Sequence, residues 1–339
     1  MTGSKMFGMN SIRRTVGAKT ELPEGKAALR DTGRNSPVSA SCGAEKQKKP
    51  LKLKIATACT YSLPGDVVGN LKKIGKMAAA AAEGGCRYIL TPELSACGYG
   101  NYGEVLRSAE CAGDGVIYAG LCTIAARYGI AVSAGFAEKE GDKTYISHYT
   151  VFPDGSFRVS RKHRVTPNES SFSPSVPLRY DGTEPIGQVP EGKEKFTLID
   201  LFGVPAVIVI CADWGIKNLM RKLYRLGAKL VLLPTGAGGK LEERYTLADL
   251  KNKNNAALRE RYLADLRKVA PDRIVLDCID YGMAFACCNL TGFDGRKHYH
   301  CGSSKIIGAD GQLLSCQPES LFVGKERETL GMAELEFEC

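Results

Sequence analysis

Three polar residues stand directly after apolar runs of the sort that form strands. Glu93 follows Tyr88-Ile-Leu-Thr-Pro, Lys162 follows Phe157-Arg-Val-Ser-Arg, and Cys211 follows the seven-residue run Val204-Pro-Ala-Val-Ile-Val-Ile. The carboxyl ends of strands are where α/β sheets assemble their sites, so three residues far apart in the chain can converge there. A carboxylate, an ammonium and a thiol are a set for acyl transfer. A free thiol with a pKa of about 8.5 is only a few per cent ionised at neutral pH. A neighbouring carboxylate can take its proton, and a neighbouring ammonium can stabilise both the thiolate and the oxyanion that its attack creates.

The segments around the three residues resemble the motifs of the nitrilase superfamily of carbon–nitrogen hydrolases. Ile89-Leu-Thr-Pro-Glu93-Leu-Ser-Ala-Cys-Gly-Tyr99 is similar to the glutamate motif, Arg161-Lys162-His163-Arg164-Val165-Thr166-Pro167-Asn168-Glu169 to the lysine motif, and Val209-Ile-Cys211-Ala-Asp213-Trp to the cysteine motif. They occur in the family's order, and Arg221, Leu226 to Pro234, Gly302-Ser303-Ser304 and Ala309-Asp-Gly311 resemble later core segments. The resemblance implies a four-layer αββα sandwich and a Glu93-Lys162-Cys211 triad. In it Cys211 forms a thioester with an amide or nitrile carbon, Lys162 and the backbone N–H of Ala212 hold the oxyanion, and Glu169 supports the lysine. No metal and no organic cofactor is required by that scheme. It also implies a homodimer, or a larger homo-oligomer, built by packing outer helices or sandwiches.

Departures narrow the reading. The family often has an aromatic or polar residue after the cysteine and a Pro-Glu pair soon after the aspartate, where this chain has Ala212 and Gly215-Ile216-Lys217. A nitrile hydrolase is expected to carry Trp-Glu after its cysteine, whereas Ala212-Asp213 resembles the amidase and carbamoylase branches. The expected substrate is therefore a small-molecule amide or N-carbamoyl compound, with Tyr99 and Trp214 lining its pocket as chain neighbours of the reacting groups. The alternative is a catalytically silent binding or scaffold protein on the same fold, motivated by the missing residues after Asp213.

The elements that must position these groups follow from periodicity. Short β-rich runs alternate with helical segments from Leu51 onward, the sign of an α/β core. Strands are expected around residues 51–59, 87–91 and 130–137, with helices over 66–83 and 115–128 between them. The turn residues Pro153-Asp154-Gly155 and Phe202-Gly203 predict hairpins, so the sheets are mixed. A helix is expected over 216–226, a strand over 229–233, and further strands over 283–290, 303–309, 313–317 and 331–337. The charged stretch at about 240–277 reads as a helical insertion, a lid or an oligomer contact, with a long helix or helix pair over 241–268. Leu233-Pro-Thr-Gly-Ala-Gly-Gly-Lys-Leu imitates a phosphate loop but has Pro234 at the first glycine position and no Ser/Thr after Lys240, so it reads as a plain loop.

Composition bounds the partners. The 339 residues carry a net charge of +9, but the first fifty hold ten Lys/Arg against four Asp/Glu, leaving 36 against 33 in the remainder. Residues 1–50 are expected to be a basic flexible tail, because they lack an apolar period with which to offset the entropy of ordering. The tail lacks aromatic interleaving, so no specific nucleic acid is expected, and no apolar run is long enough to cross a membrane. Thirteen cysteines, an odd number with no CxxC pair, fit reduced thiols in a cytoplasmic protein better than a disulfide framework. His298-Tyr299-His300 places two imidazoles on one face of a strand, half of a metal site at most, and is expected to hold no metal.

Overall fold

In the computed structural model the description covers residues 49–240, 246, 248, 252, 254–266, 271–293, 298–319 and 328–338. The expected tail lies outside these residues, except for its last two positions, and so does most of the stretch 241–253.

The first sheet has the strand order β14-β1-β2-β3-β4-β5, built from Leu51–Cys59 (β1), Tyr88–Leu90 (β2), Ala131–Glu140 (β3), Lys143–Val151 (β4), Phe157–Arg161 (β5) and Thr329–Phe337 (β14). Strands β1, β2 and β3 are mutually parallel, whereas β4, β5 and β14 pair antiparallel. Two crossovers supply the parallel connections. Helix α1, Val67–Glu83, joins β1 to β2, and α3, Val116–Tyr128, joins β2 to β3 after the short helix α2, Tyr102–Arg107. The Asp66 carboxylate caps α1 by accepting from the Gly69 N–H.

The second sheet runs β11-β12-β10-β8-β7-β6, with Ile199–Leu201 (β6), Val204–Ile208 (β7), Leu230–Thr235 (β8), Ala284–Asn289 (β10), Thr291–Phe293 (β11) and His298–Ile307 (β12). Gly239–Lys240 (β9) and Leu313–Glu319 (β13) both pair with β12. Phe202 and Gly203 both adopt positive φ, 59° and 94°, in the two-residue turn between β6 and β7. That conformation twists a hairpin in the hand that its strands require.

Alternation along β7 shows how the layers are filled. Ala206, Ile208 and Ile210 join the core shared with β1, β10 and the first sheet, while Val207 and Val209 face the other way. There they meet Leu219, Met220 and Leu223 of helix α4, Leu219–Leu226, and Ile274 and Cys278 of helix α6, Pro271–Tyr281. Helices α1 and α3 cover the first sheet in the same way. The result is helix, sheet, sheet, helix, the expected four-layer α/β sandwich. Helix α5, Ala256–Leu266, falls inside the charged stretch of about 240–277 where a long helix or helix pair is expected over 241–268, and α6 begins within the same stretch and runs beyond it. Among the described residues no helix is long and apolar enough to cross a membrane.

Candidate active site

Strand direction brings the chemistry to one end of the sandwich. Strand β5 is antiparallel to β4, which is antiparallel to β3, so β5 runs with β2 and β3. Glu93, just beyond β2, and Lys162, the residue after β5, therefore emerge at the same edge of the first sheet. In the second sheet β7 and β8 are parallel, and their ends lead into Cys211 and Gly236.

The ammonium of Lys162 lies between two carboxylates. Its Nζ donates to Glu93 Oε1 at 2.7 Å and to Glu169 Oε1 and Oε2 at 2.8 and 2.7 Å, and all three side chains are fully buried. Glu169 is fixed by the fold as well. It lies in the 3-10 turn Pro167–Glu169, where its Oε2 accepts from the Thr166 N–H at 2.8 Å and its Oε1 from the Tyr99 hydroxyl at 2.8 Å. Cys211 opens a second 3-10 turn, Cys211–Gly215, at φ 46°. A left-handed backbone at a non-glycine residue costs of order 1–3 kcal/mol and is held only when its surroundings require it. The N–H of Ala212 falls in the first turn, where backbone donors have no partner within the helix.

Burial governs the protonation states. It pushes the Glu93 carboxyl up to about 7, against the pull of Lys162 and with a further push from Glu169. The Cys211 thiol is raised far above its ordinary value, first by burial and then by the charge of Glu93. Lys162 and the Gly236 N–H oppose that rise. Burial alone would lower Lys162, yet Glu169 and Glu93 raise it well above the usual ammonium range. The resting set is thus a neutral thiol, a fixed cation and a carboxylate poised near neutrality, which is suited to taking a proton and giving it back.

Of the other residues singled out in the sequence, Tyr99 belongs here, with its hydroxyl on Glu169 and its ring edge-on to His300 at 5.3 Å. Trp214 is placed elsewhere. Its ring packs edge-on against Phe285 at 5.3 Å in the cluster under α4 and α6, on the far face of the second sheet. The expectation that Trp214 lines the pocket is not supported by this packing: although a residue three beyond Cys211 comes back to the same side of a 3-10 turn, the Trp214 ring is taken up by the Phe285 cluster, whereas Cys211 packs against the core between the sheets. The His300 Nδ1 lies 3.2 Å from the Ala237 carbonyl, and among the described residues there is no group of three His, Cys, Asp or Glu side chains placed to hold a metal ion.

Gly236 is the residue that sequence reasoning missed. Its N–H donates to Glu93 Oε2 at 3.0 Å, so Glu93 is held from both sheets. A Cβ on Gly236 would lie 2.7 Å from the Tyr99 ring and 3.0 Å from Glu93 Oε2. The signal was its position: Pro234-Thr235-Gly236 leaves an apolar strand as the other three segments do. Gly135 makes a second close approach, because a Cβ there would lie 2.1 Å from the Leu94 nitrogen.

A cavity of about 10 Å³, room for one water, adjoins Tyr99 and His300 and is lined by Tyr61, Ser62, Leu290, Thr291 and Phe293. A larger hollow of about 300 Å³ lies behind the lysine segment, between Arg161, His163, Lys195 and Phe196, and does not reach Glu93 or Cys211.

Comparison with known proteins bears on the family and the fold. The carbon–nitrogen hydrolase family model matches residues 55–251. A nitrilase of Pyrococcus abyssi is 29% identical over 167 residues, 49% of this chain and 58% of that protein. An (R)-stereoselective amidase of a Pseudomonas species is 27% identical over 173 residues, 51% of this chain and 56% of that one. The chain thus spans little more than half the length of these relatives. A crystal structure of an amidase from a Nesterenkonia species superposes with a TM-score of 0.62 at 22% identity, covering 84% of this chain and 90% of that chain. By fold, motif order and family match, the chain belongs to the carbon–nitrogen hydrolase family of the nitrilase superfamily.

Proposed function

We propose that the chain is a thiol amidohydrolase that cleaves the carbon–nitrogen bond of a small linear amide or N-carbamoyl compound. The observation that carries the reading is the buried ammonium of Lys162 shared by Glu93 and Glu169, together with a buried Cys211 thiol on which the charges of all three act. Burying three charges costs several kcal/mol per ion before their attraction is counted. A silent scaffold gains nothing from that arrangement, which counts against the alternative.

In the proposed reaction the Cys211 sulfur attacks the amide carbon as its proton passes to Glu93. The negative charge that develops on oxygen is held by Lys162 and by the Ala212 N–H. Protonated Glu93 then gives its proton to the leaving nitrogen, the C–N bond breaks, and ammonia or an amine departs from a thioester. Water loses a proton to Glu93 and attacks the thioester carbon, the C–S bond breaks, and an acid is released with the thiol restored. Because Cys211 rests as a thiol, deprotonation accompanies attack rather than preceding it.

Two relatives' names support the amide class: the Pseudomonas amidase, and the Nesterenkonia amidase, one form of which is described with butyramide. We place the protein in the cytoplasm, where its thiol stays reduced, and as a homodimer. Support for the dimer comes from Tyr224 of α4 and Leu276 and Ile279 of α6, each more than half exposed on the outer helical layer. Ammonia release from a panel of amides by wild type and Cys211→Ala tests the function. Release by wild type alone is expected, and equal release by both proteins contradicts it.

A further inference from the structure

The two sheets contribute Lys162 and Cys211 separately, and no strand ladder sets the distance between them. A pair of reciprocal hydrogen-bond sets does join their turns. Asp213, two residues beyond Cys211 and 1% exposed, accepts from the main-chain N–H of His163 with both oxygens, at 3.0 and 2.9 Å. It also accepts from the main-chain N–H of Arg164 at 2.7 Å. The His163 Nε2 accepts the Lys195 N–H at 2.9 Å, so its proton resides on Nδ1, which donates to Asp213 at 3.2 Å.

The return set comes from Arg164. Its Nη1 donates to the Ala212 carbonyl at 2.9 Å, while Nε and Nη2 donate to the carbonyls of Gly187 at 2.8 Å and Ile186 at 3.3 Å. Gly215 makes room for it, since a Cβ there would lie 2.2 Å from Nη1. The glycine that departs from the family's pattern and the arginine two residues after Lys162 are thus fitted to each other.

We infer that Asp213 and Arg164 are positioning residues that set the separation of Lys162 from Cys211, an inference that rests on the proposed thiol chemistry. Asp213 fixes the two peptide groups that follow Lys162, and Arg164 fixes the peptide that follows Ala212. Neither side chain needs to touch substrate. A misplacement of about 1 Å in a reacting set can cost about a hundredfold in rate, which is the scale of effect such a latch controls.

The test uses the full chain with Asp213→Asn, which turns one acceptor into a donor facing N–H groups, and Arg164→Lys, which keeps the charge and loses the fork. Alkylation of Cys211 by iodoacetamide, followed by mass spectrometry across pH, needs no amide substrate. Amide hydrolysis is measured beside it. In Asp213→Asn, kcat is expected to fall by about a hundredfold with a smaller change in KM. Alkylation is expected to slow, and its acid midpoint to move above that of wild type, because a displaced Lys162 no longer holds Glu93 down. Arg164→Lys should show smaller changes in the same directions.

Variants that melt as wild type does and keep its kcat, alkylation rate and midpoint overturn the inference. Should Asp213→Asn fail to fold, the same two outcomes in Arg164→Lys decide. A wild type that hydrolyses no amide, with variants that still alkylate slowly at a raised midpoint, sinks the proposed reaction and leaves the latch standing.

Discussion

Glu93 is asked to be ionised in a dry site, and this has consequences for activity and stability together. With its carboxyl near 7, kcat/KM is expected to fall about tenfold per pH unit below that value, because the protonated form cannot accept the thiol's proton. A pH-rate profile on any turned-over amide checks it. The same raised value means that folding is favoured by protonation of Glu93, and that this contribution is lost as pH rises through about 7. Glu93→Gln removes the buried charge and leaves Lys162 paired with Glu169. It is therefore expected to abolish turnover while melting at or above wild type at pH 8, with the difference shrinking at pH 5, where wild-type Glu93 is itself neutral. Calorimetry at the two pH values measures this. The residue types of Glu93, Lys162 and Cys211 and their places after strands made them legible in the sequence. Trp214 was not legible in the same way, because closeness to Cys211 in the chain does not fix which cluster a large ring joins, and its ring packs against Phe285.

At the scale of elements, the strands were the readable part. Each apolar run ended near a turn signal, and the Phe202-Gly203 hairpin appears where its residues required it. The separate limits of helix α6, which begins inside the expected helical stretch of 240–277 and runs to Tyr281, were not legible, because Asp272, Arg273, Asp277 and Asp280 obscure the Ile274 and Cys278 pair that it buries. Pro271 at its first position was the usable sign. The loop after β8 shows the same limit. Gly236 matters through a close approach to Tyr99 and Glu93, and such an approach leaves no periodic trace. Gly236→Ala is expected to cost about 1–3 kcal/mol of stability by overpacking and to lower kcat more than it raises KM. Denaturant melts and steady-state kinetics on one preparation check both.

Across the whole molecule, the segments at positions 51–59 and 329–337 lie side by side. Nine consecutive residues of β1 pair with β14, from Leu51 opposite Phe337 to Cys59 opposite Thr329. Removing residues 329–339 would bare the β1 ladder and the apolar faces of Ala333, Leu335 and Phe337's neighbours, so that truncation is expected to yield unfolded or aggregated protein, checked by circular dichroism and light scattering. Removing residues 1–48 should leave melting and turnover unchanged, given their polar composition. Between these limits the sandwich does one thing for function: it brings groups from both sheets to one carboxylate. The central claim is that Cys211 carries the acyl group during turnover. Wild-type protein mixed with a hydrolysed amide, quenched in acid during steady state and digested, should show the Cys211 peptide heavier by the acyl group. Ammonia release with that peptide unmodified and the acyl group absent at every time sampled would contradict the account.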